Sequence, residues 1–294
     1  MLAWRRQFVG VILLCGGCFG SLFFLSGGSA AKDIPDGELH PTESTAPTTE
    51  IDSSSATQAT CSDPEDSTDV FNAMRADLAN AQAKASALTS YTAIMEMQEE
   101  VNGNLRPLDL IQIKIRQQPF SVYMRWSESH QEALFVDGQN DNRLLVKPTK
   151  GLAGLKRLWR LDPNCRMAKQ SCRYPITDSG IEKLVSRIQD FYATRDDWAS
   201  VVKCSVSDAT VAKSPVTAYE IRYRDVDASP DYEGSRFCFD KSTELLIAVD
   251  NFGWSDAQEP RLIERYVYHT INQDIPLQDN DFAEANPDYQ FVAR

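Results

Sequence analysis

The stretch Ile111-Gln112-Ile113-Lys114-Ile115-Arg116 alternates apolar and polar residues without a break, and Phe120-Ser121-Val122-Tyr123-Met124-Arg125-Trp126 repeats the pattern after Pro119. Successive side chains of a strand point to opposite faces. Phe120, Val122, Met124 and Trp126 therefore share one face, and Ser121, Tyr123 and Arg125 share the other. The pattern predicts an antiparallel sheet with one buried and one wet face, folded around something apolar. It names no reaction.

Working outward, strands are expected over about 90–101, 107–117, 120–127, 132–137 and 143–147, with turn chemistry at Asp137-Gly138 and Asn140-Asp141-Asn142. Lys156 to Leu161 adds a short strand. Ahead of them Phe71, Met74, Leu78, Ala81, Ala85 and Leu88 recur at helical spacing. A second helix opens with Ser179 and Glu182 as a capping box and carries the stripe Ile181, Leu184, Val185, Ile188 and Phe191, and Trp198 closes the unit. Further strands are expected near 200–206, 209–212, 216–224, 235–240, 244–251 and 261–269, before an irregular tail. Helix, strands, helix, strands reads as α+β: one strongly curved antiparallel sheet, an open half-barrel, with two helices packed on its concave side. A single domain over 67–294 is expected, because a split would leave each half with a sheet and one lone helix.

The first 31 residues read as a targeting segment. Arg5 and Arg6 supply a positive end, Phe8 to Leu25 is almost wholly apolar or glycine, and Ser29-Ala30-Ala31 offers small residues for cleavage. The same run is near the roughly 20 residues that span a bilayer, so a retained amino-terminal membrane anchor is the alternative. A twin-arginine signal and a lipidated Cys18 fit less well: Trp4 stands where Ser or Thr is usual, and Cys15 stands where a Leu is expected. Each variant places the rest of the chain outside the cytoplasm. Residues 32–66 are rich in Ser, Thr, Ala and Pro, with acids opposed only by Lys32. Such a segment is expected to be a disordered linker holding the domain off the membrane or wall.

Export makes disulfides admissible. Cys165, Cys172, Cys204 and Cys238 allow three pairings. The favoured set joins Cys165 to Cys172 and Cys204 to Cys238, leaving Cys61 over, and the alternative is simple buried thiols. No Cys-x-x-Cys pair follows Cys18, so no metal site is expected, and no cofactor motif is present. A net charge of -12 over 294 residues argues against a nucleic-acid partner. It leaves oligomeric state open.

Several phrases carry a family likeness. They are Met97 to Gly103, Ile113 to Met124, Gly138-Gln139-Asn140-Asp141-Asn142, Arg173-Tyr174-Pro175-Ile176-Thr177, Asp281-Phe282 and Asn286-Pro287-Asp288-Tyr289. Together they resemble domain-of-unknown-function family 1571, a family of exported bacterial proteins, over nearly all of 67–291. The likeness implies no known activity. The strand order is in turn similar to the LolA-like lipoprotein-carrier superfamily, in which helices lid an open half-barrel over an apolar cavity. That similarity implies a fold, and fold alone does not transfer function.

No nucleophile with a base stands out. Ser179 serves the helix start, no Gly-x-Ser-x-Gly occurs, His130 lies in a polar turn and His269 on a strand. Glu99 and Glu100 are neighbours on a strand and face opposite ways, and Asp196-Asp197 sits at a helix end. Between Arg143 and Arg173 nine bases face one acid, Asp162. Of these, Lys147, Lys150, Lys156, Arg157 and Arg160 are candidates for anionic lipid headgroups, the alternative being a solvated face or a partner for the acidic linker. The sequence thus points to a non-catalytic envelope protein that binds a lipid, an acyl chain or a lipidated partner. Ile113, Ile115, Val122, Met124 and Trp126 are the candidate cavity residues. The rival is an interaction or scaffold module with a filled core and no ligand.

Overall fold

Two meanders diverge from the middle of one sheet. In the computed structural model, which describes residues 64–148, 158–255, 261–273 and 275–291, strand β1 (Ser90–Val101) lies between β3 (Asp109–Arg116) and β12 (Arg261–Asn272). A two-residue β2 (Asn104–Leu105) pairs with the end of β1. From β3, hairpins lead through β4 (Ser121–Trp126), β5 (Glu132–Val136) and β6 (Leu144–Lys147) to the edge strand β7 (Trp159–Leu161). The chain then crosses through α2 (Ile181–Tyr192) and α3 (Trp198–Val201) to the opposite edge. There β8 (Val202–Val211), β9 (Ser214–Tyr223), β10 (Gly234–Asp240) and β11 (Leu246–Gly253) meander back to β12. All these pairings are antiparallel. Among the described residues β7 and β8 do not pair, so the 12-stranded sheet stays open. The two expected strands at 200–206 and 209–212 form the single strand β8.

The helical periodicity of the first helix is met in full. α1 (Pro64–Ala87) buries Phe71, Met74, Leu78, Ala81 and Ala85, with Leu88 just beyond its end. Fully burying each of the larger side chains contributes about 1.5–3 kcal/mol. Tyr219 Oη donates to Asp77 at 2.6 Å, and Lys84 pairs with Glu244 at 2.5 Å, which anchors α1 to β9 and to the β10–β11 turn. The helix reaches back at least to Pro64, within the segment expected to be linker. Residues 1–31 and the rest of that linker lie outside the described residues.

The start of α2 corrects the capping expectation. Gly180, at φ +104°, is the N-cap, and no side chain caps the helix from that position. The Ile181 N–H instead donates to Tyr91 Oη on β1 at 2.8 Å in a buried setting. A Cβ on Gly180 would meet that oxygen at 3.0 Å. Glycine is needed for both the backbone angle and the close approach. The stripe Ile181, Leu184, Val185 and Ile188 is buried as expected, with Tyr192 completing it in place of Phe191, which is partly exposed.

The face read as wet is largely covered. Tyr123, Leu134, Val136 and Leu145 form a second apolar cluster with Leu277, Phe282, Tyr289 and Phe291 of the tail. Tyr289 stacks on Tyr123 with ring centroids 3.9 Å apart. Lys114 meets Asp281 at 2.9 Å, and Arg116 meets Asp279 at 2.6 Å. The polar members of the alternation therefore serve as partners for the chain's own acidic tail.

Neither expected disulfide forms. Cys204 on β8 and Cys238 on β10 are separated by β9, two inter-strand spacings of about 4.8 Å each. That exceeds the Cα separation of roughly 4.4–6.8 Å that a bridge spans. Cys165 and Cys172 engage the same backbone unit instead. Cys165 Sγ accepts from the Ala168 N–H at 3.4 Å, and Cys172 Sγ donates to the Ala168 carbonyl at 3.5 Å.

Candidate functional site

Inward-facing side chains of β1, β4, β5, β6, β7 and β12 form one wall of a cavity of ≈ 340 Å³. The other wall is the segment 167–180 with Leu184 and Arg187 of α2. Small-molecule sites run from about 300 to 1,000 Å³, so the space suits one alkyl chain or a small amphiphile. It is two-sided in chemistry. Met124, Ala133, Val146, Trp159 and Leu161 make an apolar arm towards the β7 edge. Glu99, Tyr174, Arg187, Tyr266 and Tyr268 make a polar end beside β12.

The polar end is built on the register of β1 against β12, which sets Glu99 directly opposite Glu264. Both carboxylates are buried, at 3 % and 1 % exposure. Tyr266 Oη donates to Glu99 Oε1, and the Arg173 N–H donates to Glu99 Oε2 at 2.8 Å. Glu264 Oε1 accepts from Tyr232 Oη at 3.0 Å and from Asn251 Nδ2 at 2.6 Å, and Arg173 Nε lies 3.5 Å from its other oxygen. Burial, with the charge of Glu264 adding to it, holds the Glu99 carboxyl above the usual carboxylate range, against the hydrogen bonds from Tyr266 and Arg173. Burial and the two facing carboxylates likewise push the Tyr266 phenol up, so it stays a donor. The network continues from Asn251 through Ser235 and Tyr223 to Tyr192, connecting the cavity wall to α2. Burial raises the Cys172 thiol to about 11, leaving it protonated in the wall.

Of the residues singled out from the sequence, Met124 and Trp126 line this cavity. Ile113, Ile115 and Val122 do not; they are buried in the main core, where Ile115 lies at packing distance from Gly180 at the start of α2. Of the five basic candidates, Lys150, Lys156 and Arg157 fall outside the described residues. Arg160 is taken by Glu284 of the tail at 2.7 Å, and Lys147 also has an interaction partner. His269 pairs with Glu96 at 2.9 Å and His130 is exposed, so neither reaches the cavity. Among the described residues no group of three or more His, Cys, Asp or Glu side chains is placed to hold a metal, and no helix is long and apolar enough to cross a membrane.

Tyr266 and Tyr268 stand among the aromatics that could line a cavity or fill a core, whereas the sequence reading missed the place of Glu99, Arg187 and Tyr174 in the site. A signal existed for two of them. Glu99 continues the inward series Met95, Met97 on β1, and Arg187 sits three residues from Leu184 on the apolar stripe of α2. A charge on an apolar face marks a buried partner or a site. The carboxylate pair that matters is the cross-strand Glu99–Glu264, while Glu100 turns the other way to pair with Arg261.

The fold is similar to those of several solved proteins. One is the lipoprotein LppX of Mycobacterium tuberculosis, with TM-score 0.40 and 10 % identity over 70 % of this chain and 99 % of that one. A second is MucB, solved in complex with MucA(peri), with TM-score 0.39 and 16 % identity over 72 % of this chain and 60 % of that one. A third is a LolA superfamily protein from Nitrosomonas europaea, with TM-score 0.28 and 10 % identity over 71 % and 96 %. Comparison with curated protein sequences finds no match. The profile of the DUF1571 family, described as a protein of unknown function, matches residues 88–291. That span runs from the end of α1 to the tail that seals the outer face, and on it the chain belongs to the DUF1571 family.

Proposed function

We propose that this protein is a non-catalytic, extracytoplasmic envelope protein that holds the apolar chain of a lipid, or of a lipidated partner, between its sheet and α2. The supporting observation is the cavity of ≈ 340 Å³, whose arm is formed by Met124, Ala133, Val146, Trp159 and Leu161, with Trp126 also in the lining. Water gains little against such a wall, whereas an alkyl chain exchanges hydration for contact at about 25 cal/mol per Å². In this reading residues 1–31 export or anchor the chain, the acidic segment that follows tethers it, and 67–294 act as one domain. Native mass spectrometry of the protein isolated from its own envelope tests the reading. A co-purifying lipid mass is expected. A ligand-free protein that also ignores a fluorescent acyl probe would sink it and leave the filled-core interaction module.

A further inference from the structure

The Arg187 guanidinium stands 3.6 Å from the centre of the Tyr174 ring and 5.8 Å from that of Tyr266. Both rings lie within the roughly 6 Å at which an aromatic ring attracts a cation. They do not satisfy the five N–H donors, which lie in the guanidinium plane. Among the described residues no carboxylate or carbonyl forms an ion pair or hydrogen bond with Arg187. The two nearby acids are already engaged: Glu99 by Tyr266 and Arg173, and Glu264 by Tyr232, Asn251 and Arg173. Arg187 nonetheless lines the cavity, at the end opposite its apolar arm.

Arg106, Asp109 and Asp178 also line the cavity, but Arg187 is the cation at its polar end. An alkyl chain belongs along Met124, Ala133 and Trp159, which brings its head to Arg187. A cationic head would be repelled there, and a neutral one would leave the guanidinium edge without acceptors. We propose that the guest is a single-chain amphiphile with an anionic head, a carboxylate or a phosphate, whose oxygens take the in-plane donors of Arg187. The planar fork of arginine matches both heads. The Tyr174 ring fixes the orientation of the fork. The inference rests on the cavity reading above and names the class of ligand that the cavity selects.

The test titrates the full-length protein at pH 8 with dodecanoate, dodecyl phosphate and dodecanol, following the fluorescence of the wall residues Trp126 and Trp159. At least one anion is expected to bind tenfold or more tightly than the alcohol, and comparing the two anions separates a carboxylate from a phosphate head. Arg187→Gln should bring the anions down to the affinity of the alcohol and leave the alcohol unchanged. Arg187→Lys, which keeps charge but loses the fork, should fall between. Equal binding of anion and alcohol by the wild-type protein overturns the proposal, and so does a preference that survives Arg187→Gln. In both those cases alcohol binding still upholds the cavity; failure of all three ligands removes the cavity reading itself.

Discussion

Replacing Tyr289 by Ala tests whether the second face of the sheet is part of the folded core. The ring is 7 % exposed and stacks on Tyr123 at an interplanar angle of 9°. It also meets Phe291 edge-on, and its Oη donates to the Asp281 carbonyl at 2.5 Å. Losing the burial of the ring costs about 3 kcal/mol. The stack adds about 1 kcal/mol and the hydrogen bond about 1 kcal/mol. Partial collapse of the tail recovers some of this, so a net loss of about 4 kcal/mol is expected. In a unit of this size each kcal/mol lowers Tm by about 2–4 °C, which puts the expected fall at about 8–16 °C. Tyr289→Phe keeps the stack and should lose only about 1 kcal/mol. Thermal melts followed by near-ultraviolet circular dichroism measure both variants. If Tyr289→Ala melts within about 2 °C of wild type, the tail is an accessory and the outer face is wet after all.

Three further outcomes are expected. Tyr91→Phe leaves the buried Ile181 N–H without an acceptor and should cost about 1–3 kcal/mol; an unchanged urea midpoint would show that α2 is capped in another way. Glu99 has a folded pKa above its ordinary 4.5, so the native state holds its proton longer than the unfolded chain and stability falls as pH rises from about 4.5 to the raised value. Glu99→Gln removes that loss, and its Tm relative to wild type should climb between pH 4 and pH 7; a flat or falling difference contradicts the assignment. Ala133→Trp places a ring in the apolar arm of the cavity. It should abolish dodecanol binding with less than about 1 kcal/mol lost, whereas a filled core would answer with the roughly 1–3 kcal/mol of overpacking and show no binding to lose.

The residues of β3 and β4 determined by themselves that this chain builds an antiparallel sheet, because period-two alternation is a local property that no distant contact can rewrite. The α1 repeat from Phe71 to Leu88 and the α2 stripe were legible for the same reason: helical spacing is written within a few turns. Alternation alone did not determine what lies against each face. Lys114 and Tyr123 read as solvent-facing until Asp281 and Tyr289, more than 150 positions away, were brought onto them. The helix start was misread because the donor of Ile181 finds its acceptor on β1 rather than in a neighbouring side chain. The cysteine pairing failed on strand order, which places β9 between Cys204 and Cys238. The site follows the same rule. Met124 and Trp126 were visible as apolar strand residues, but Glu99, Tyr266 and Arg187 meet only because β1 pairs with β12 and α2 crosses above them. Local sequence sets which way a side chain points, and only the tertiary fold decides what it meets there.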